Sequence, residues 1–574
     1  MKPLSRPYGA FIARASPRTL LNGIMAACGA GFLLFGYDQG VMSGLLASPP
    51  FQAQFPRMAD DATLQGQVVA LYEIGCFAGA LATFWLGERL GRRRMIIYGM
   101  LVLSLGAVIQ ASSFDVPQLI VGRIVAGVGN GFTTATIPVY HSETSKAHDR
   151  GRAVCIELAV NIAGVCTSYW IDYGFSFIHG SSVQWRFPLA FQVFFALVTV
   201  GLISFMPESP RWLLLQGRDD EALDVLRMLD VSQQVAEEVV GKGATTPDAA
   251  APDAPAHALD YRHEFDVIKA TIEEERALSA GSPPWRDIFR NSGKERYLQR
   301  ALLGMGSQFA QQLSGINLIT YYAPVIFQQS VGFSHNLSLL MSGFNGLAYF
   351  FSSLVPIFLI ERLGRRPLML FGAAGQMGCM AVLAAMTVSV GDTAKGIVAT
   401  VMLFLFNFFF SVGWLAIPWL YPAEINPMRT RTQGAALATC SNWIFTYLVV
   451  CITPPSVQNI GYKTYVMFAI FNASFIVLTF FFYPETKGLT LESVDKLFEE
   501  TQAWSIGPVD TRRYNVAAVA GGSGNTHTLA ASPLPSSSSS SLEMCDAEVG
   551  LEKKAGYALA TKTGVSDVEP AQKA

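Results

Sequence analysis

The chain has 574 residues, 51% of them hydrophobic and 15% charged, with a formal net charge of −2. Soluble domains carry about 25% charged residues, which argues against a water-soluble globule, and so small a net charge gives no basis for nucleic-acid binding. The mean hydropathy, +0.33, is moderate because long polar segments dilute the apolar ones.

In chain order, a basic N-terminal segment (1–19) with Lys2, Arg6, Arg14 and Arg18 precedes the first apolar stretch. That stretch is not expected to be a cleavable signal, because more apolar stretches follow and no small-residue cleavage pattern does. Apolar runs of about twenty residues cross the hydrocarbon core, and runs of this length are helices. The pattern predicts twelve spans: 20–46, 65–86, 94–112, 117–140, 153–174, 187–206, 300–329, 337–360, 367–389, 396–421, 432–454 and 463–483. Basic residues cluster after alternate spans: Arg89, Arg92, Arg93 and Arg94; Lys146, Arg150 and Arg152; Arg362, Arg365 and Arg366; Arg429 and Arg431. The opposite loops carry little beyond Arg57, Asp115, Asp392 and Lys395. This asymmetry predicts a multi-pass membrane protein with both termini in the cytoplasm.

The expected organisation is an N-terminal six-helix half (20–206), a cytoplasmic connection (207–299), a C-terminal six-helix half (300–483) and a cytoplasmic tail (484–574). Within the connection, 221–229 and 265–278 read as short amphipathic helices. Segment 244–256 and the tail beyond about residue 500, with its serine run 536–541, read as disordered. Eight cysteines stand mostly singly in apolar stretches, without CxxC or histidine at ligand spacing. They read as buried thiols, and no metal or other cofactor is expected.

An internal repeat organises the chain. GERLGRRR (87–94) returns as IERLGRRP (360–367), with Gly91 and Gly364 273 positions apart. PESPRWLL (207–214) returns as PETKGLTL (484–491), 277 apart, and PVYHSE ending at Glu143 returns as PWLYPAE ending at Glu424, 281 apart. Each of these glutamates has an arginine seven residues on, Arg150 and Arg431. Two related halves of six helices, packed about a pseudo-two-fold axis along the membrane normal, place a solute site between them at mid-depth.

The residues that carry these landmarks resemble the sugar-porter family of the major facilitator superfamily across about 20–500: GYDQG (36–40), GERLGRRR, GRIVAGVGNG (122–131), PESPR (207–211), QQLSGINLITYYAP (311–324), ERLGRRP (361–367) and PETKG (484–488). ATIPVYHSE, YWIDYGFSF, SSVQWRFPLAFQ and FFFYPETKG look most like the fungal branch that includes glycerol–proton symporters and hexose and pentose carriers. The resemblance implies an all-α membrane protein with twelve helices in two pseudo-symmetric halves, acting as a single chain. It implies a carrier of a monosaccharide or polyol and not an enzyme, with the lipid bilayer as its surroundings and the proton as coupling ion. A passive uniporter is the alternative within transport, and a sensor signalling through its tail is the alternative outside it.

Three groups of residues are candidates for function. Glu143, Arg150, Glu424, Arg431, Glu208, Arg211, Glu361, Arg365 and Arg366 sit at cytoplasmic helix ends in both halves. They read as an ion-pair latch between the halves, the part matching residues play in the family. Asp38, Glu73, Arg123 and Glu157 fall inside spans, where ionisable groups need a partner or a cavity. By resemblance, Asp38 pairs with Arg123 and carries the proton. Gln308, Gln311, Gln312 and Gly315 share one face at helical spacing, and with Asn317, Asn345 and Asn442 they offer amides that both donate to and accept from sugar hydroxyls. Trp419 and Trp443 offer flat faces for sugar C–H groups, and Tyr321 and Tyr322 resemble the family's external gate. Leu158 stands where many hexose porters have a sugar-binding glutamine, so Glu157, with Asn161 and Ser168 near one stripe, is expected to line the cavity instead. Gly413-Trp414-Leu415-Ala416 likewise replaces a Gly-Pro-rich hinge, and both departures point away from plain glucose towards a polyol or pentose.

Overall fold

The computed structural model describes residues 16–144, 150–229, 261–279, 284–289, 296–388, 393–427, 430–489 and 491–501. The serine run and segment 244–256 lie outside them. The chain divides into Met1–Gly521, discussed below, and Gly522–Ala574, which lies wholly outside the described residues.

The described part is helical, with twelve spans. The N-terminal six are Pro17–Leu45, Ala62–Leu90, Arg92–Ala111, Val116–Thr144, Arg150–Ser176 and Val183–Ser204. The seventh is broken into Tyr297–Leu313 and Ile316–Ile326, and the eighth into His335–Ser353 and Pro356–Leu363. Arg365–Met386 is the ninth, Arg431–Ile460 the eleventh and Lys463–Phe482 the twelfth. The tenth is a composite of Thr393–Phe410, a π-helical turn Ser411–Leu415 and Ile417–Ile425. Ten spans are long and apolar enough to cross a membrane on composition alone. The other two are the fourth, diluted by Arg123, Asn130 and small residues, and the seventh, which Gly315 interrupts at φ +100°.

Packing repeats between the halves. The first span lies against the fifth, the second against the fourth and the third against the sixth; correspondingly the seventh lies against the eleventh, the eighth against the tenth and the ninth against the twelfth. The halves meet where the second span packs on the eleventh, the fifth on the eighth and the first on the outer part of the seventh. Without a hydrophobic drive between helices in lipid, such contacts rest on close packing of small residues. A Cβ on Gly75 would lie 2.3 Å from the Ile124 carbonyl oxygen, and one on Gly127 would lie 2.1 Å from that of Tyr72. The second and fourth spans therefore touch backbone to backbone at the level of Glu73 and Arg123.

Short helices Asp219–Leu229 and Tyr261–Ser279 occupy the connection. The start of the tail, ahead of the segment read as disordered, is helical. Leu491–Glu500 forms a helix that buries Val494, Leu497 and Phe498, and Arg300 stacks on Phe498 at 4.3 Å.

Candidate functional site

At the helix ends that carry the arginine-rich loops, the repeat becomes two copies of one clasp. In the N-terminal half, Arg92 makes a bidentate pair with Glu143, both bonds at 2.9 Å, and the Ser209 hydroxyl donates to the same carboxylate at 2.6 Å. Glu208 accepts the backbone N–H groups of Arg92 (3.0 Å) and Arg93 (3.2 Å). In the C-terminal half, Arg365 pairs with Glu424 at 2.7 Å and Glu361 at 3.0 Å, and the Thr486 hydroxyl donates to Glu424 at 2.6 Å. Glu485 accepts the backbone N–H groups of Arg365 (2.9 Å) and Arg366 (3.1 Å).

The described partners of Glu143 and Glu424 are thus the arginines that open the third and ninth spans. Arg431 donates to the Asn426 carbonyl at 3.4 Å, and the Arg150 side chain lies outside the described residues. Arg211 opens the short helix Pro210–Leu215. Gly91 (φ +86°) and Gly364 (φ +97°) are required by conformation and by space, since a Cβ would stand 2.7 Å from Glu208 Oε2 and 2.5 Å from Glu485 Oε2 respectively. Burial pushes the Glu208 carboxyl upward, opposed by the backbone N–H groups of Ser209, Arg93 and Arg92 and by the Arg92 charge.

Between the halves, a cavity of about 50 Å³ is lined by both. The C-terminal half contributes Gln311, Gln312, Asn317, Thr320, Trp419 and Asn442, and the N-terminal half Phe35, Gln39, Leu158, Asn161 and Val165. The amides form a chain. Asn317 donates to Gln312 at 2.5 Å, and Gln312 donates to Gln311 at 3.1 Å and to Asn442. Gln311 also donates to the carbonyls of Trp414 (2.6 Å) and Leu415 (3.0 Å), both in the π-helical turn, where the lengthened repeat leaves carbonyls to be satisfied from outside. The tenth span therefore breaks at Gly413–Leu415 even without the Gly-Pro-rich sequence. A ligand site is ordinarily about 300 Å³ or more, so a solute entering here takes over hydrogen bonds that the amides now give one another. A roomier cleft of about 270 Å³ lies among Leu302, Phe309, Phe475, Leu478 and Phe482. Its lining is almost wholly apolar and lacks such an amide set.

Other expected site residues lie elsewhere. Glu157 does not line the cavity: its carboxylate is held by His141 at 2.5 Å, deep between the fourth and fifth spans. Asn345 accepts from Asn407 at 3.1 Å, joining the eighth and tenth spans. Gln308 donates to the Pro418 carbonyl at 2.9 Å, and Trp443 packs edge-on against Phe35 at 5.7 Å. Gln39 was the omission on the N-terminal wall. It stands in the same GYDQG motif as Asp38, one residue on, and so faces another direction.

At the end opposite the arginine-rich loops, the mouth is shut. Tyr321 and Tyr322 are fully buried. The Tyr321 hydroxyl donates to Glu73 Oε1 at 2.5 Å, and the Tyr169 hydroxyl donates to the Thr320 carbonyl, so both bonds cross from one half to the other. Tyr322 donates to the Val450 carbonyl at 2.9 Å. Behind this gate lies a buried charged cluster of Asp38, Glu73 and Arg123. Arg123 donates to the Val69 carbonyl at 2.8 Å and sits over the Tyr72 ring at 4.5 Å. The direct Asp38–Arg123 pair expected from the sequence is not formed. Neither Asp38 oxygen has a hydrogen-bond partner, nor do Arg123 Nε and Nη1, and the Tyr72 hydroxyl stands beside Asp38 while its ring carries the guanidinium.

Residues 23–498 match the family described as sugar (and other) transporter. The chain is 38% identical over 486 residues to the MFS-type transporter oryC of Aspergillus oryzae, covering 84% of this chain and 86% of that one. It is 38% identical over 525 residues to the sugar transporter STL1 of Saccharomyces cerevisiae, covering 88% and 87%. Among solved structures, the proton:xylose symporter XylE superposes with a TM-score of 0.68 at 24% identity, over 84% of this chain and 99% of that one.

Proposed function

The chain belongs to the sugar-transporter family of the major facilitator superfamily, and on that premise we propose that it imports a monosaccharide or polyol across the plasma membrane by proton-driven alternating access. Both termini lie in the cytoplasm in this reading. The observation that carries it is the amide chain Gln311–Gln312–Asn317–Asn442 on one wall of an inter-half cavity. Amides match a polyhydroxylated solute without net charge, and Trp419 offers an apolar face beside them. On the facing wall Gln39 and Asn161 are the amides, and Leu158 stands where many hexose porters have a sugar-binding glutamine, which favours a polyol or pentose over glucose.

Proton drive is supported by the charged cluster behind the outer gate, because a protonation change at Asp38 biases whichever conformation stabilises that form. A passive uniporter is the second reading, favoured by the open geometry between Asp38 and Arg123. The test is uptake of labelled solute in transporter-deficient cells, with hexoses, pentoses and polyols as competitors and with the external pH recorded. Competition by one solute class, with alkalinisation of the medium on adding that solute, is the expected outcome. Uptake without alkalinisation or accumulation at any pH selects the uniporter, and binding without uptake rejects transport.

A further inference from the structure

The cluster behind the outer gate holds one carboxylate more than a single Asp–Arg pair needs. Asp38 comes from the first span, Glu73 from the second, Arg123 from the fourth and Tyr321 from the seventh, and all four are fully buried. Arg123 acts electrostatically on both carboxylates, and the Asp38 charge is felt at Glu73. The other titratable groups facing them are Tyr37 on the first span, Tyr72 and Cys76 on the second and Tyr321 and Tyr322 on the seventh. Phenols and thiols are neutral at physiological pH, so they do not alter the charge count. Glu73 Oε1 is taken by Tyr321, whereas Glu73 Oε2 and both Asp38 oxygens have no hydrogen-bond partner.

We propose that Asp38 and Glu73 share one proton under the single guanidinium of Arg123, and that closing the Tyr321 gate over them is the step that requires it. Asp38 and Arg123 alone would form a neutral set that could be buried without a proton. With Glu73 present, two ionised carboxylates against one guanidinium leave a net negative charge, which closure would strip of water without a compensating partner. One bound proton removes that excess. The proton then belongs to the pair and not to either residue. With the proton on Asp38, ionised Glu73 accepts a charge-assisted bond from Tyr321, the stronger kind of latch. On the cytoplasm-facing side of the cycle, water reaching the cluster lets the proton leave, and both carboxylates ionise again. Glu73 is thus a positioning residue for the gate as well as half of the proton site. The inference rests on the proton-symport reading for its place in the cycle, although its charge argument concerns gate closure alone.

The experiment uses the full-length carrier in proteoliposomes. Glu73→Gln keeps the shape and an oxygen for Tyr321 but leaves one carboxylate against one guanidinium. Its downhill uptake should continue and cease to depend on external pH, its solute-induced proton uptake should fall to background, and Glu73→Asp should recover proton uptake in part. Wild-type proton-to-solute stoichiometry in Glu73→Gln overturns the shared site. A second readout does not depend on symport: labelling of Thr320→Cys, just below the gate, by an impermeant thiol reagent from outside, normalised to the unfolded protein at the same pH. Labelling should rise as external pH is raised, because deprotonation opposes closure. That rise should vanish in Glu73→Gln, and Tyr321→Phe should be labelled several-fold faster at every pH. If wild type moves no proton with solute, the symport reading fails while pH-dependent labelling still upholds the charge argument. Labelling indifferent to pH in wild type overturns the proposal.

Discussion

The two six-helix halves share a fold and a clasp at their arginine-rich ends, yet their interiors differ in chemistry. Inside the N-terminal half lie the buried ionisable side chains Asp38, Glu73, Arg123, His141, Glu157 and Asp172. The C-terminal half instead gathers amides at and beside the cavity, Gln308, Gln311, Gln312, Asn317, Asn345, Asn407 and Asn442, to which the N-terminal half adds Gln39 and Asn161. The clasp has to repeat because both halves must fasten the same helix ends through Glu143 or Glu424 and Glu208 or Glu485. The interior is under no such demand, so on the proposed reading one half responds to charge and the other to hydroxyl groups. Duplication kept the clasp in both halves and left the interior chemistry to diverge.

The sharpest way to break this division is Asp38→Asn, where the largest effect is expected. A neutral side chain of nearly the same shape should abolish accumulation against a gradient, while exchange of solute across the membrane continues at a similar half-saturation concentration. Counterflow and net accumulation, measured in the same vesicles, separate the two. Accumulation that survives and collapses with a protonophore would move the proton site out of this cluster. A smaller effect of the opposite kind is expected from Gln312→Ala. It removes the amide that links Gln311, Asn317 and Asn442. Losing one hydrogen bond to a desolvated hydroxyl costs about 1–3 kcal/mol, and about 1.4 kcal/mol is tenfold in affinity. The half-saturation concentration should rise by that order, with the proton-to-solute ratio unaltered. A change in the ratio would show that the halves do not divide their work.

How much of this was legible in the sequence depended on the range of the interaction. Hydropathy located the spans because each is a local property of about twenty residues. The repeat located the clasp because Gly91 and Gly364, with their positive φ, tolerate little else. The amide face of the seventh span was legible because Gln308, Gln311 and Gln312 obey helical spacing. Partner choice across helices was not. Glu143 takes Arg92 from the third span, and Glu157 turns to His141 rather than to the cavity. Such choices follow from helix rotation, which is set by contacts such as Gly75 against Ile124 and has no local periodicity. The helix Leu491–Glu500 was hidden for a different reason. It borders a low-complexity tail, and its amphipathic pattern spans less than three turns.

The clasp offers a third test, of intermediate size, that compares the halves directly. Gly91→Ala and Gly364→Ala each force a Cβ into an extended backbone of positive φ that is nearly exclusive to glycine, costing about 1–3 kcal/mol, and against a carboxylate at 2.7 or 2.5 Å. Turnover should fall several-fold and by similar factors in the two variants, with half-saturation little changed in either. Strongly unequal effects, measured at matched surface expression, would show that the repeat conserves sequence without conserving work.

The smallest effect is expected at Asp495, in a feature that, among the described residues, belongs to the C-terminal half. Arg300 is fully buried at the start of the seventh span, donates to the Ile425 carbonyl at 3.2 Å, stacks on Phe498 at 4.3 Å and pairs with Asp495, whose side chain is 39% exposed. A pair with one partner this open to solvent contributes about 0–1 kcal/mol, and asparagine keeps an oxygen that can accept from Arg300. Asp495→Asn should therefore alter turnover by less than twofold and leave the melting temperature almost unmoved. Phe498→Ala should do more, since it removes the buried ring on which the guanidinium rests and loosens the helix from the bundle. If the order is reversed, so that the charge matters and the ring does not, then Leu491–Glu500 acts through its ion pair. It would then belong with the clasps at Arg92 and Arg365, as a moving part of the cytoplasmic gate and not a docked segment beside it.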